Sequence, residues 1–94
     1  MNGDHRYDIV ILPKAARYLE SLPEAIRDEI YDALMDLEDD PTAVGSIPME
    51  GKGTGLRRLR VGAYRAIYRI VEERVTILVI RIGPRDSVYR GYEG

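Results

Sequence analysis

The period of apolar positions changes twice along this chain. From Tyr7 to Leu12 (Tyr-Asp-Ile-Val-Ile-Leu) the run is short, β-branched and stopped by Pro13, which predicts a strand. Ala15, Ala16, Leu19 and Leu22 then recur at helical spacing. Pro13 suits the first turn of that helix, where a missing N–H costs nothing. A second stripe, Ile26, Ile30, Ala33, Leu34 and Leu37, has Asp28, Glu29, Asp32 and Asp36 mostly off it, and predicts a second amphipathic helix. Ser21-Leu22-Pro23-Glu24 matches a capping box with Pro23 in the first turn, so it should close one helix and open the next. Glu38-Asp39-Asp40-Pro41 ends the second helix, where acids oppose the macrodipole and favour fraying. Short connections make the two helices a hairpin.

Residues 41–55 show no periodicity and are expected to form a loop carrying Lys52. Three strand candidates follow: Leu56–Val61, Tyr64–Val71 and Val75–Ile82, with a tight turn at Gly62-Ala63 and another at Glu72-Glu73-Arg74. Alternation puts Tyr64, Ala66, Tyr68 and Ile70 on one face, and Arg65, Ile67, Arg69 and Val71 on the other. Connections this short force an antiparallel meander, one face on the helices and one partly open. The predicted class is α+β: an N-terminal strand, a two-helix hairpin and a three-stranded antiparallel meander, β-α-α-β-β-β, in a single domain over 1–94.

Composition narrows the chemistry. With 94 residues, one core is the most to expect. The chain has no cysteine, which removes a thiolate nucleophile, a disulfide framework and a cysteine zinc site. No apolar run reaches the ~18–20 residues of a membrane span, and the polar start (Met1 to Arg6) is not a secretory signal, so a cytoplasmic location is expected. The single histidine, His5, lies in that polar start, and no metal-ligand cluster is evident, so neither metal nor cofactor is expected. Gly51-Lys52-Gly53-Thr54-Gly55 lacks phosphate-loop spacing and precedes a strand rather than a helix.

Charge is segregated behind a net of −2. Residues 1–50 carry twelve acids and four Lys or Arg, whereas residues 56–90 carry nine arginines against Glu72, Glu73 and Asp86. Fields act over a Debye length of about 8–10 Å, so a basic patch can hold a polyanion on an acidic protein. Arginine's planar fork suits phosphate better than lysine does. Arg57, Arg58 and Arg60 lie on one predicted strand, Arg65 and Arg69 share a face of the next, and Arg81 and Arg85 end the last. Strands run about 4.7–4.9 Å apart, so these groups can converge on one patch, with Tyr64, Tyr89 and Tyr92 interleaved near it. Such a patch suits nucleic-acid backbone with a ring for base stacking. A solvated sheet face paired with the acidic half is the competing account.

The stretch Leu56-Arg57-Arg58-Leu59-Arg60-Val61-Gly62-Ala63-Tyr64-Arg65-Ala66-Ile67-Tyr68-Arg69, followed by 75–82 and Gly83-Pro84-Arg85-Asp86-Ser87-Val88-Tyr89-Arg90, resembles the RelE/ParE toxin superfamily. The front half, with Leu22-Pro23 between two helices, fits as well. The resemblance implies a toxin of a type II toxin–antitoxin system. RelE-type members cut mRNA in the ribosomal A site by 2′-hydroxyl attack on the adjacent phosphate, without a metal. By that resemblance Arg65 would stabilise the transition-state phosphate, Arg85 would contact phosphate and Tyr89 would stack on a base or assist proton transfer. Arg58 stands at one of two family lysine positions. Lys52, Arg57, Arg60, Arg81 and Arg90 are the accompanying RNA-binding candidates.

Two departures bear on activity. Leu56 occupies the other lysine position, and arginine stays protonated to above about pH 12, so Arg58 is a poor general base. Either Tyr89 or Lys52 supplies the base, or the enzyme is slow. The alternatives are a ParE-like inhibitor of DNA gyrase that catalyses nothing, and a degenerate toxin that only pairs with an antitoxin. Each implies a cognate antitoxin in a heterodimer or heterotetramer; the first adds ribosome and mRNA as partners.

Overall fold

The computed structural model describes residues 7–42, 46–49, 55–72 and 76–84. The elements run β1 (Asp8–Ile11), α1 (Pro13–Glu20), α2 (Glu24–Asp36), β2 (Ser46–Pro48), β3 (Leu56–Val61), β4 (Tyr64–Val71) and β5 (Thr76–Pro84). They build one five-stranded sheet in the order β1-β5-β4-β3-β2. The meander β3-β4-β5 is antiparallel, as the short connections require. β1 closes one edge by pairing parallel to β5, Asp8 opposite Thr76 and Ile11 opposite Val79. The architecture is α+β, with both helices on one face of the sheet.

The helix stripes meet that face. Ala15 and Leu19 of α1, Ile30 and Leu34 of α2, and Leu37 beyond it pack with Leu59, Val61, Ala66, Tyr68, Ile77, Val79 and Ile82. Pro13 opens α1 as expected. The capping box does not form. Pro23, not Ser21, is the residue before α2, and no side chain caps that helix. Ser21 instead ends α1, its Oγ donating to the Tyr18 carbonyl at 2.6 Å. A box needs its serine immediately before the helix, and here Ser21 stands two residues too early. Gly62 takes φ +58° at the first central position of the β3–β4 turn, where left-handed backbone matches the twist of a two-residue hairpin.

The stretch read as a loop holds an unexpected strand. β2 pairs antiparallel with β3, Ser46 opposite Leu59, Ile47 opposite Arg58 and Pro48 opposite Arg57. Only three residues long and ending in proline, it carries no alternation that could announce it. The last strand also runs past the predicted Ile82, because Gly83 and Pro84 still pair with Arg65 and Tyr64. Its register to β4 shifts between Ile67 and Tyr68, leaving Ile80 as the extra residue of a bulge.

Candidate functional site

The face away from the helices carries the arginines. Arg58 and Arg60 of β3 alternate with Leu59 and Val61, which point into the core, so strand geometry alone turns these two guanidinium groups outward. The register sets Arg58 beside Ile67 and Arg60 directly opposite Arg65 on β4. Ile47, 44% exposed, stands beside Arg58 at the sheet edge. Ile47, Arg58, Arg60 and Arg65 together line a cup of about 220 Å³.

Arg65 is oriented by its own hairpin. One guanidinium nitrogen donates to the Gly62 carbonyl at 3.0 Å and to the Tyr64 carbonyl at 2.9 Å. Neutral carbonyls fix the fork without cancelling its charge, which preorganises it for an anion. Ile67 shares this face of the sheet. It is 0% exposed yet stands outside the helix-facing core. Its cross-strand neighbours are Arg58 on one side and Arg81 on the other.

Arg57 faces the other way. It lies on the core face opposite Tyr68, where its Nε donates to Ser46 Oγ at 2.9 Å and a terminal nitrogen to the Ser46 carbonyl at 3.1 Å. The Ser46 hydroxyl also bonds the Tyr68 hydroxyl, which donates to the Pro41 carbonyl. Tyr68 has one proton and gives it to Pro41, so Ser46 is the donor to Tyr68; Arg57 can only donate to Ser46. The chain Arg57→Ser46→Tyr68→Pro41 therefore runs in one direction. It ties β2 to the centre of the sheet, and no buried side-chain polar atom among the described residues lacks a partner.

Of the sequence-predicted site residues, Arg58, Arg60 and Arg65 come together in the cup. Arg81 lies one strand further on, and Arg57 is turned from it. Lys52, Arg85, Tyr89 and Arg90 lie outside the described residues. Ile47 escaped sequence reasoning because nothing marks a three-residue strand inside an aperiodic stretch, and Ile67 because alternation assigned it to the open side. Among the described residues no group of acids and histidine could hold a metal, and no helix is long and apolar enough to cross a membrane.

A second concavity, of about 570 Å³, lies between α1 and β5. β1 stops at Ile11 opposite Val79, so β5 has no strand neighbour on that side from Ile80 onward. Leu12, Ile80 and Ile82 are among its apolar lining, and Lys14 and Arg17 of α1 are among its basic lining. Tyr18, also in its wall, stacks obliquely on Tyr64 with ring centroids 6.5 Å apart. Burial first, and then the neighbouring Tyr64 hydroxyl, push the Tyr18 pKa above its ordinary value.

Residues 9–89 match the family model for the ParE toxin of the type II toxin–antitoxin system parDE. The chain belongs to the RelE/ParE family of type II toxins. It is 33% identical to toxin RelG of Mycobacterium tuberculosis over 85 residues, spanning 89% of this chain and 97% of RelG. It is also 33% identical to toxin RelE of that organism over 91 residues, 96% of this chain and 93% of the relative. Among solved structures, the RelE–RelB complex of the archaeon Pyrococcus horikoshii has a chain similar at TM-score 0.76 and 29% identity, covering 87% of this chain and 98% of its own. The arginine cup thus sits on the open sheet face of a RelE/ParE toxin.

Proposed function

We propose that this RelE/ParE-family toxin is a metal-independent endoribonuclease that cuts mRNA on the ribosome and so stops translation. The observation that carries the reading is the cup itself, lined by three arginines, with Arg65 aimed by the carbonyls of its own turn. In the reaction the substrate's 2′-oxygen attacks the adjacent phosphorus and the bond to the 5′-oxygen breaks. The products are a 2′,3′-cyclic phosphate and a free 5′-hydroxyl. Negative charge grows on the phosphoryl oxygens, and preorganised guanidinium groups stabilise it more in the transition state than in the ground state. Arg65 takes that role, with Arg58 beside it and Arg85 as a further phosphate contact. One base removes the 2′ proton and one acid protonates the leaving oxygen. Tyr89 or Lys52 fills the first place, since Arg58 does not deprotonate.

A cognate antitoxin is the protein partner of this reading, in a cytoplasmic heterodimer or heterotetramer. The groove between α1 and β5 suits an amphipathic acidic segment, apolar side chains against Leu12 and Ile82, carboxylates toward Lys14 and Arg17. The Pyrococcus horikoshii relative was solved together with RelB.

The deciding experiment is translation in a purified cell-free system, followed by primer extension on the message. Codon-phased cuts that need ribosomes, lost in Arg65→Ala and Tyr89→Phe, are expected. An intact message with protein synthesis unaffected would overturn the proposal. One alternative has its own support: the matched family model is that of ParE, and Leu56 replaces a family lysine. On that account the chain inhibits DNA gyrase, and a supercoiling assay would show it.

A further inference from the structure

We propose that Ile47 is the base-contacting residue of the arginine cup: a nucleobase packs on its side chain while Arg58, Arg60 and Arg65 hold the adjoining phosphate. This inference rests on the ribonucleolytic reading above and adds a component that the cations cannot supply. Arginines on phosphate fix register and orientation but do not sense whether a base is present. An apolar side chain at the rim does.

Three observations single out Ile47. It is 44% exposed, and of the exposed large hydrophobic residues described (Val10, Met35 and Ile47) it alone lines the cup. An isolated exposed isoleucine is ordinary, but one set beside three cations in a concavity offers a polyanion both kinds of contact. Next, its backbone is held in place. Ser46, one residue away and only 7% exposed, is bonded by Arg57 and by Tyr68, which is 0% exposed. A strand of three residues would otherwise have little to hold it on the sheet edge. Finally, the cup is small. At about 220 Å³ it lies below the ~300–1,000 Å³ of sites that enclose whole small ligands, so it grips part of a longer polymer. Charge complementarity makes that polymer a polyanion, which under the ribonucleolytic reading is a phosphodiester chain, and a base free to lie on Ile47 makes it single-stranded.

The test uses the full chain and two labelled probes that cannot be cleaved, a short 2′-O-methyl oligoribonucleotide and an abasic oligomer with the same number of phosphates. Fluorescence anisotropy should show wild type binding the base-bearing probe more tightly. Ile47→Ala should narrow that preference by roughly three- to tenfold, as lost apolar contact implies, with abasic affinity unchanged. Ile47→Leu should restore it. An identical preference in wild type and Ile47→Ala would overturn the role of Ile47 and leave the ribonuclease reading standing. If wild type binds neither probe, the assignment of Ile47 is overturned, while the ribosome-dependent reading is decided by the cell-free translation assay. Binding of polyglutamate in their place would give the cup to an acidic protein segment.

Discussion

Arg60 and Arg65 face each other directly across β3 and β4. Like charges at opposed positions destabilise a sheet by roughly 0.2–1 kcal/mol relative to neutral pairs, and opposite charges stabilise it by a similar amount. Replacing Arg60 by glutamate removes the first and installs the second. Arg60 is exposed, so solvent screening holds the combined gain to about 0.5–1 kcal/mol. For a domain this size that is a rise in Tm of roughly 2–8 °C. The same change should weaken single-stranded oligonucleotide binding. One lost phosphate contact lowers the slope of log affinity against log salt by about 0.7. Urea denaturation at low and at high salt, with anisotropy titrations across the same salts, measures both. The stability gain should shrink as salt rises. A variant that is less stable than wild type, or that binds with an unchanged salt slope, would refute the claim that this pair is kept for binding at the expense of the sheet.

Further outcomes follow from other contacts. Tyr68→Phe leaves the Ser46 hydroxyl without its acceptor and the Pro41 carbonyl without its donor, and should cost about 1–3 kcal/mol by urea denaturation, with faster amide exchange in β2. Ile67→Ala should cost about 2–4 kcal/mol although the residue lies on the open face, because it is as buried as any core residue. Tyr18 has a raised pKa, so above about pH 10 the unfolded chain gives up this proton before the folded one does and stability falls. Tyr18→Phe should flatten that alkaline decline in a pH series of denaturation curves. Gly62→Ala meets no atom within 4 Å but must adopt φ +58°, so a loss of about 1 kcal/mol without repacking is expected.

Much of this molecule is legible in its residues because two periods differ so plainly. Ile30, Leu34 and Leu37 could serve only a helix face, and Tyr64 to Val71 could only alternate. Arg58, Arg60 and Arg65 were readable as convergent because strand spacing and a two-residue turn fix their register. What stayed hidden depends on contacts distant in sequence. Ser46 becomes a strand residue through Arg57 and Tyr68, and no local pattern encodes such a bond. Arg57 shares its strand with Arg58 and Arg60, yet the pleat turns it to the opposite face and Ser46 occupies it. Ser21 satisfied a local motif, and the helix began two residues later than that motif requires.

The parallel pairing of β1 with β5 governs when this protein comes into being. Asp8 and Ile11 are among the first described residues to be synthesised, and their partners Thr76 and Val79 belong to the last described strand. A nascent chain that has released β1 and both helices therefore has apolar surface without a sheet to cover it. Ile67 likewise lacks its Arg81 flank until β5 joins β4. Non-local pairing of this kind is slow to form and cannot begin early. The basic face is thus completed only after β5 has been synthesised, because Arg81 and the strand that carries it arrive after every other described element.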